Sequence, residues 1–236
     1  QSIAFDAVGR NAILADSHFA DGQYHGKKGP DRGLAIARMI GHITYLSEES
    51  MRQKFGRELR KADSYSYDFN SEFSVETYLD YQGQSFVERF DPNSYLYITK
   101  AADYFDLQKD YGTLAAAFAN VKSRFLVISF TSDWLFAPAQ AEIMVDALVA
   151  GGKDVSFCNM ASPYGHDSFL LEPDTLGLFI AGFLAATHRP RIRAGARSIR
   201  RTATHEVRDS GQAHRARVDY ELIESLIEPN SRVLDI

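Results

Sequence analysis

His166 and Asp133 are the residues with the clearest chemical potential. His166 lies in Tyr164-Gly165-His166-Asp167, just past a segment that reads as a strand (154–158). Asp133 lies in Thr131-Ser132-Asp133-Trp134, just past an earlier strand-like run, Phe125-Leu126-Val127-Ile128-Ser129-Phe130. In open α/β sheets, reactive groups collect beyond the carboxyl ends of the strands. A histidine there acts as a general base when a carboxylate fixes its ring. An acid after one strand and a histidine after the next is the second half of the chain order Ser…Asp…His. Taken singly, each residue also suits a blander role, a helix-capping acid or an exposed loop histidine.

The first half of that order is absent from the 236 residues. No Gly-x-Ser-x-Gly turn occurs, and Ser132, Ser162 and Ser168 lack the flanking glycines that such a strand-to-helix turn requires. Cys158, the single cysteine, falls inside the expected second strand and reads as packing, not as a nucleophile. Arg38 adds a different chemistry. Leu34, Arg38 and His42 recur at i, i+4, i+8 on one helix face, and a guanidinium fork suits a carboxylate ligand. An arginine so placed is also compatible with simple solvation, and His42 reads as a packing histidine.

The elements that must hold these groups follow from periodicity and punctuation. Residues 2–15 read as a helix and 16–32 as a loop rich in glycine and polar residues. A long amphipathic helix is expected over 33–61, with a break near Ser47, where Ser-Glu-Glu-Ser resembles a new N-terminus. Residues 74–90 form the next helix. Asp91-Pro92 then starts another over 95–105, the carboxylate capping and the proline sitting where no N–H is needed. A short Ala-rich helix covers 114–121. Residues 33–121 are thus nearly all helical. The texture then becomes strand (125–130), helix (138–148, closed by Gly151-Gly152), strand (154–158) and helix (174–186), an α/β unit with a parallel pair.

Composition bounds the rest. Hydrophobic residues make up 45% and charged residues 24%, which excludes a wholly disordered chain. The net charge of −5 disfavours nucleic acid as the main partner. A lone cysteine excludes an internal disulfide framework and a Cys-rich zinc site. No apolar run approaches the roughly 18 residues of a membrane span, and the first residues lack a signal-peptide pattern. Charge is uneven: residues 1–188 carry −8 and residues 189–236 carry +3, with nine arginines between Arg189 and Arg217. Residues 189–217 read as a mobile, basic linker. Its arginines lack the interleaved aromatics of a nucleic-acid contact. After it come a short helical segment and the strand-like Arg232-Val233-Leu234-Asp235-Ile236.

Four segments together resemble the homoserine O-acyltransferase family of methionine biosynthesis. They are Gly33-Leu34-Ala35-Ile36-Ala37-Arg38-Met39-Ile40-Gly41-His42-Ile43-Thr44-Tyr45-Leu46-Ser47, Phe86-Val87-Glu88-Arg89-Phe90-Asp91-Pro92-Asn93-Ser94-Tyr95-Leu96-Tyr97-Ile98-Thr99-Lys100, Thr131-Ser132-Asp133-Trp134, and Tyr164-Gly165-His166-Asp167-Ser168-Phe169-Leu170. The likeness runs over about residues 3–186. It implies the C-terminal portion of an α/β-hydrolase fold with a mostly helical lid, truncated and lacking the N-terminal strands and the nucleophile elbow. The corresponding divisions are 1–32, helix and loop after the elbow; 33–121, lid; 122–188, core; 189–217, linker; and 218–236, the start of another domain. The resemblance implies a ping-pong transfer from acyl-CoA to the homoserine hydroxyl through a serine outside this chain. Asp133 would orient His166, and His166 would be the general base. Arg38 would bind the substrate carboxylate and Asp167 its amino group, the pair of opposite charges that a zwitterion needs.

Leu135 stands where the family carries arginine when succinyl-CoA is used. A leucine offers no charge to a succinyl carboxylate, so acetyl-CoA is the expected co-substrate, with no further cofactor. Homodimerisation through the lid helices and a cytoplasmic location are also implied. The rivals on this fold are a succinyltransferase and a plain hydrolase, and Arg38 and Asp167 argue against the latter. A third alternative is a non-catalytic fragment that dimerises with a full-length partner. The chain alone is expected to be inactive and poorly stable, because its strands lack sheet partners. Finally, Arg217-Val218-Asp219-Tyr220-Glu221-Leu222-Ile223 and Ser231-Arg232-Val233-Leu234-Asp235-Ile236 resemble the start of a MetW-type, methyltransferase-like protein, stopping short of its S-adenosylmethionine loop.

Overall fold

Two helices that meet at a glycine-permitted contact set the frame. In the computed structural model, α1 (Ser2–Leu14) packs closely on α2 (Asp31–Tyr45). A Cβ on Gly33 would lie 2.5 Å from the Ala12 carbonyl oxygen, so no other residue allows this approach. Asp16 ties the connecting loop to the same point by accepting the Gly33 N–H at 2.9 Å. Ile13, Leu34, Ala37 and Phe86 form the buried cluster between α1, α2 and α4 (Ser74–Val87), with Phe19, Phe90 and Leu96 packed around it. The structure describes residues 1–60, 64–67 and 69–187. The basic linker and the MetW-like segment lie outside them.

The expected break in the second helix occurs at Leu46-Ser47. Ser47 caps α3 (Glu48–Lys54) by accepting the Ser50 N–H at 3.0 Å. The sequence reading carried this helix on to residue 61, but it stops at Lys54. Gly56, at φ +52°, provides the left-handed stop that explains this. Asp91 caps α5 (Pro92–Tyr104) as expected, accepting the Ser94 N–H at 2.7 Å. The Tyr24 hydroxyl donates to the same carboxylate at 2.6 Å and holds the early loop against this cap. A further short helix, α6 (Leu107–Tyr111), was not foreseen; Asp106 caps it by accepting the Gln108 and Lys109 N–H groups. α7 (Leu114–Ala117) is shorter than its Ala-rich run.

Two parallel strands follow, β1 (Phe125–Phe130) and β2 (Val155–Met160), in register from Phe125 opposite Val155 to Phe130 opposite Met160. Between them runs α8 (Pro138–Ala150), with its proline in the first turn. After β2 come a 3-10 turn (Gly165–Asp167), α9 (Ser168–Leu171) and α10 (Pro173–Thr187). The strand–helix–strand–helix order read from the sequence is present, with the second strand extended by two residues to Met160. Among the described residues no single helix is long and apolar enough to cross a membrane.

The helical segment is pinned to the strand ends at one place. The Ser47 and Ser50 hydroxyls both donate to the Pro163 carbonyl oxygen, in the loop after β2. The Trp134 indole N–H, in the loop after β1, donates to the Leu46 carbonyl at 2.9 Å. The α2–α3 break therefore sits over the carboxyl ends of both strands.

Candidate active site

Asp133 is buried, and its carboxylate is used on both sides. Oδ1 accepts the N–H groups of Leu135 at 3.0 Å and Phe136 at 2.8 Å; Oδ2 lies 2.9 Å from His166 Nδ1. The two backbone bonds fix the carboxylate in the turn after β1, so its second oxygen points toward the turn after β2. These three hydrogen bonds hold the carboxylate in one orientation. With Nδ1–H given to Asp133, His166 carries its lone pair on Nε2, the tautomer of a general base.

The His166 ring is placed by its turn. Gly165, at φ +72°, donates its N–H to the Ser132 hydroxyl at 2.9 Å, and Ser168 donates its hydroxyl to the Gly165 carbonyl at 2.6 Å. These bonds use two of the serines that the sequence had already set aside as nucleophiles. Cys158 sits half-buried in β2, where burial pushes its thiol pKa up. Rings of Tyr45, Phe136 and Phe169 surround His166, with centroids at 5.7, 5.0 and 5.5 Å. About a quarter of the His166 side chain is left exposed, enough for a reacting group to reach it.

Arg38 is buried on α2, at 8% exposure, with its guanidinium over the Phe86 ring at 4.8 Å. Its Nη1 donates to the Tyr45 hydroxyl at 3.4 Å. Tyr45 therefore touches both Arg38 and His166 and brings the two into one site. Sequence reasoning missed Tyr45, although its place seven residues after Arg38, two turns along the same helix, was a usable signal. Asp167 follows His166 directly and makes no side-chain cap to α9. Its charge acts on Lys54 of α3, opposing the burial that lowers the lysine pKa. Leu135 is half-buried beside Asp133 and brings no charge there.

His42 packs edge-on to Tyr45 and Tyr78 with its Nδ1 3.0 Å from the Tyr78 hydroxyl, but its Nε2, which a satisfied packing histidine would have bonded, meets no partner among the described residues. A wide groove of ≈ 870 Å³ runs beside the site, past Leu46, Met51, Arg52, Ser132 and Trp134. None of Asp133, His166, Arg38 or Asp167 lines it, so the hydrogen-bond geometry, not this groove, locates the chemistry.

A buried acid and a histidine hydrogen-bonded across the ends of neighbouring parallel strands form an arrangement able to do acid–base chemistry. Solved structures share the architecture. Homoserine O-acetyltransferase from Bacillus anthracis superposes with a TM-score of 0.69 at 23% identity, over 80% of this chain and 49% of that one. Esterase E22 gives 0.68 at 22% identity, over 78% and 50%. The chain is therefore part of an α/β-hydrolase fold with a mostly helical segment ahead of these strands.

At the sequence level the likeness is closer. The chain is 55% identical over 188 residues to homoserine O-acetyltransferase of Methanohalobium evestigatum, covering 80% of this chain and 38% of that protein. It is 52% identical over 186 residues to the Zymomonas mobilis protein of that name, covering 78% and 50%. The chain thus spans between 38% and 50% of the length of these relatives. No family model matches it.

Proposed function

We propose that this chain supplies the acid–base and amino-acid-binding part of a homoserine O-acetyltransferase. The observation that carries the reading is the 2.9 Å His166–Asp133 pair at the ends of parallel strands, in a chain half identical to proteins of that name. A serine outside these 236 residues attacks the acetyl-CoA thioester, and His166 Nε2 takes its proton. The proton passes to the departing CoA sulfur, leaving acetyl-serine. The side-chain hydroxyl of homoserine then gives its proton to the same nitrogen and attacks the acetyl carbonyl, releasing O-acetylhomoserine and restoring the serine. Asp133 holds the imidazole and stabilises its charged form. Arg38 takes the homoserine carboxylate and Asp167 its ammonium group. These two charges favour an amino-acid acceptor over water, and thus transfer over hydrolysis. Leu135 favours acetyl over succinyl, and no cofactor beyond acetyl-CoA takes part.

The helices of 33–121 act as lid and homodimer surface, and the protein works in the cytoplasm. Residues 218–236, whose sequence resembles the start of a MetW-like domain, join a second methionine-pathway module through the Arg-rich linker. The test joins the whole 236-residue chain behind the preceding segment of the Methanohalobium relative. Homoserine and acetyl-CoA should give O-acetylhomoserine and free thiol in equal amounts; the chain alone should form no acetyl-serine. A folded, joined protein that only hydrolyses the thioester, or that prefers succinyl-CoA, would overturn the assignment.

A further inference from the structure

One buried group of this site has no part in the mechanism above. His42 lies one turn after Arg38 on α2 and shares Tyr45 with it. Arg38 donates to the Tyr45 hydroxyl at 3.4 Å, while the His42 and Tyr45 ring centroids stand 5.4 Å apart. On its other side, His42 Nδ1 meets the Tyr78 hydroxyl of α4 at 3.0 Å. Three cations from three parts of the chain face it: Arg38 on α2, Lys54 on α3 and Arg89 just after α4. Burial first, and then these charges, push its pKa down to about 4. The imidazole is therefore neutral throughout the physiological range.

A neutral imidazole has one N–H. Where the Tyr78 hydroxyl donates to Nδ1, the imidazole N–H sits on Nε2. His42 Nε2 is shielded from solvent and meets no hydrogen-bond partner among the described residues. Buried polar groups in folded proteins are normally satisfied by protein, ordered water or a ligand, so an orphaned one is a candidate ligand contact. The surrounding cations make that acceptor an anion. A carboxylate has two oxygens; the Arg38 guanidinium holds one with its charge, and a neutral, ring-fixed N–H gives the other a direction.

We propose that His42 is a substrate-binding residue whose Nε2–H, together with Arg38, holds the carboxylate of the amino-acid acceptor. This rests on the proposed reading of the acceptor as homoserine. The division of labour makes sense of a histidine kept uncharged. A fourth cation here would repel its neighbours and bind carboxylates of any shape, whereas a fixed neutral donor selects for geometry.

The test uses the joined protein described above, with the full 236-residue chain. His42→Asn keeps a partner for Tyr78 and removes the Nε2 donor. His42→Gln carries its amide N–H out to the Nε2 position. The asparagine variant should raise KM for homoserine about tenfold, equal to about 1.4 kcal/mol, with kcat at saturation within threefold and KM for acetyl-CoA within twofold. The glutamine variant should stay within threefold of the native KM. The ratio of variant to native KM should stay constant from pH 6 to pH 9, and ¹⁵N shifts of the native imidazole should report the Nε2–H tautomer. An unchanged KM in the asparagine variant overturns the proposal, as do equal losses in both variants or a ratio that titrates between pH 6 and pH 7. If native protein acetylates homoserine but these ratios fail, this inference alone falls. If native protein does not acetylate homoserine, the function and the inference fall together.

Discussion

Replacing Asp6 by asparagine should stabilise the protein at neutral pH and lose that advantage in acid. Asp6 on α1 and Asp103 on α5 form a hydrogen-bonded carboxyl pair. Arg10 neutralises Asp103 through a 2.5 Å ion pair and also donates to the Thr99 hydroxyl at 3.1 Å. Asp6 is thus the extra acid in the cluster. Burial and the neighbouring Asp103 raise its pKa from 3.8 to about 6. The protonated carboxyl contributes fully below about pH 3.8, and that contribution is lost as pH rises through about 6. The interval corresponds to ~3 kcal/mol by linkage. Solvent screening around a partly exposed side chain reduces this to about 1–2 kcal/mol. Asparagine keeps a donor toward Asp103 without the charge. Asp6→Asn should therefore raise the unfolding midpoint by roughly 2–6 °C at pH 7.5, with the gain shrinking steadily toward pH 4.5. Thermal melts of both proteins at half-unit pH steps measure it. An equal or lower midpoint at pH 7.5, or a gain that grows toward acid, would refute the shared-proton reasoning.

Other substitutions follow from the same geometry. In the joined protein, Asp133→Asn should cut kcat by about 10,000-fold with little change in melting temperature, because the wrong tautomer of His166 is favoured; steady-state rates and a melt separate the two effects. Gly165→Ala puts a Cβ 2.5 Å from the Ser47 nitrogen at φ +72°. It should cost about 3 kcal/mol or more and lower activity, read by urea unfolding and by assay. Leu135→Arg should shift preference toward succinyl-CoA over acetyl-CoA by about tenfold, as expected for one charge-assisted hydrogen bond, measured by competing the two donors.

The sequence by itself determined the elements and the order of the reactive residues. Asp91-Pro92, the Ser47 break and the run 125–130 are local signals, and each appears in the structure where it was read. Gly56 and Asp106 were present as a helix stop and a helix cap and were overlooked, so the extent of α3 and the existence of α6 were legible too. Asp133 and His166 could be marked from their places after successive strands, and Arg38 from its helix face. Only the tertiary structure decided what those side chains meet. The 2.9 Å bond between Asp133 and His166 depends on parallel pairing that brings two turns, 33 residues apart, to one edge. Tyr45 joins Arg38 to His166 because α2 breaks over the strand ends. Burial first, and then cations on α2, on α3 and beyond α4, keep His42 neutral, and the Asp6–Asp103 pair spans α1 and α5. Local patterns record backbone preference and one buried face, which short-range sterics and hydrophobicity fix. The ionisation state of a group depends on charges and burial contributed by distant segments, and no local pattern encodes those.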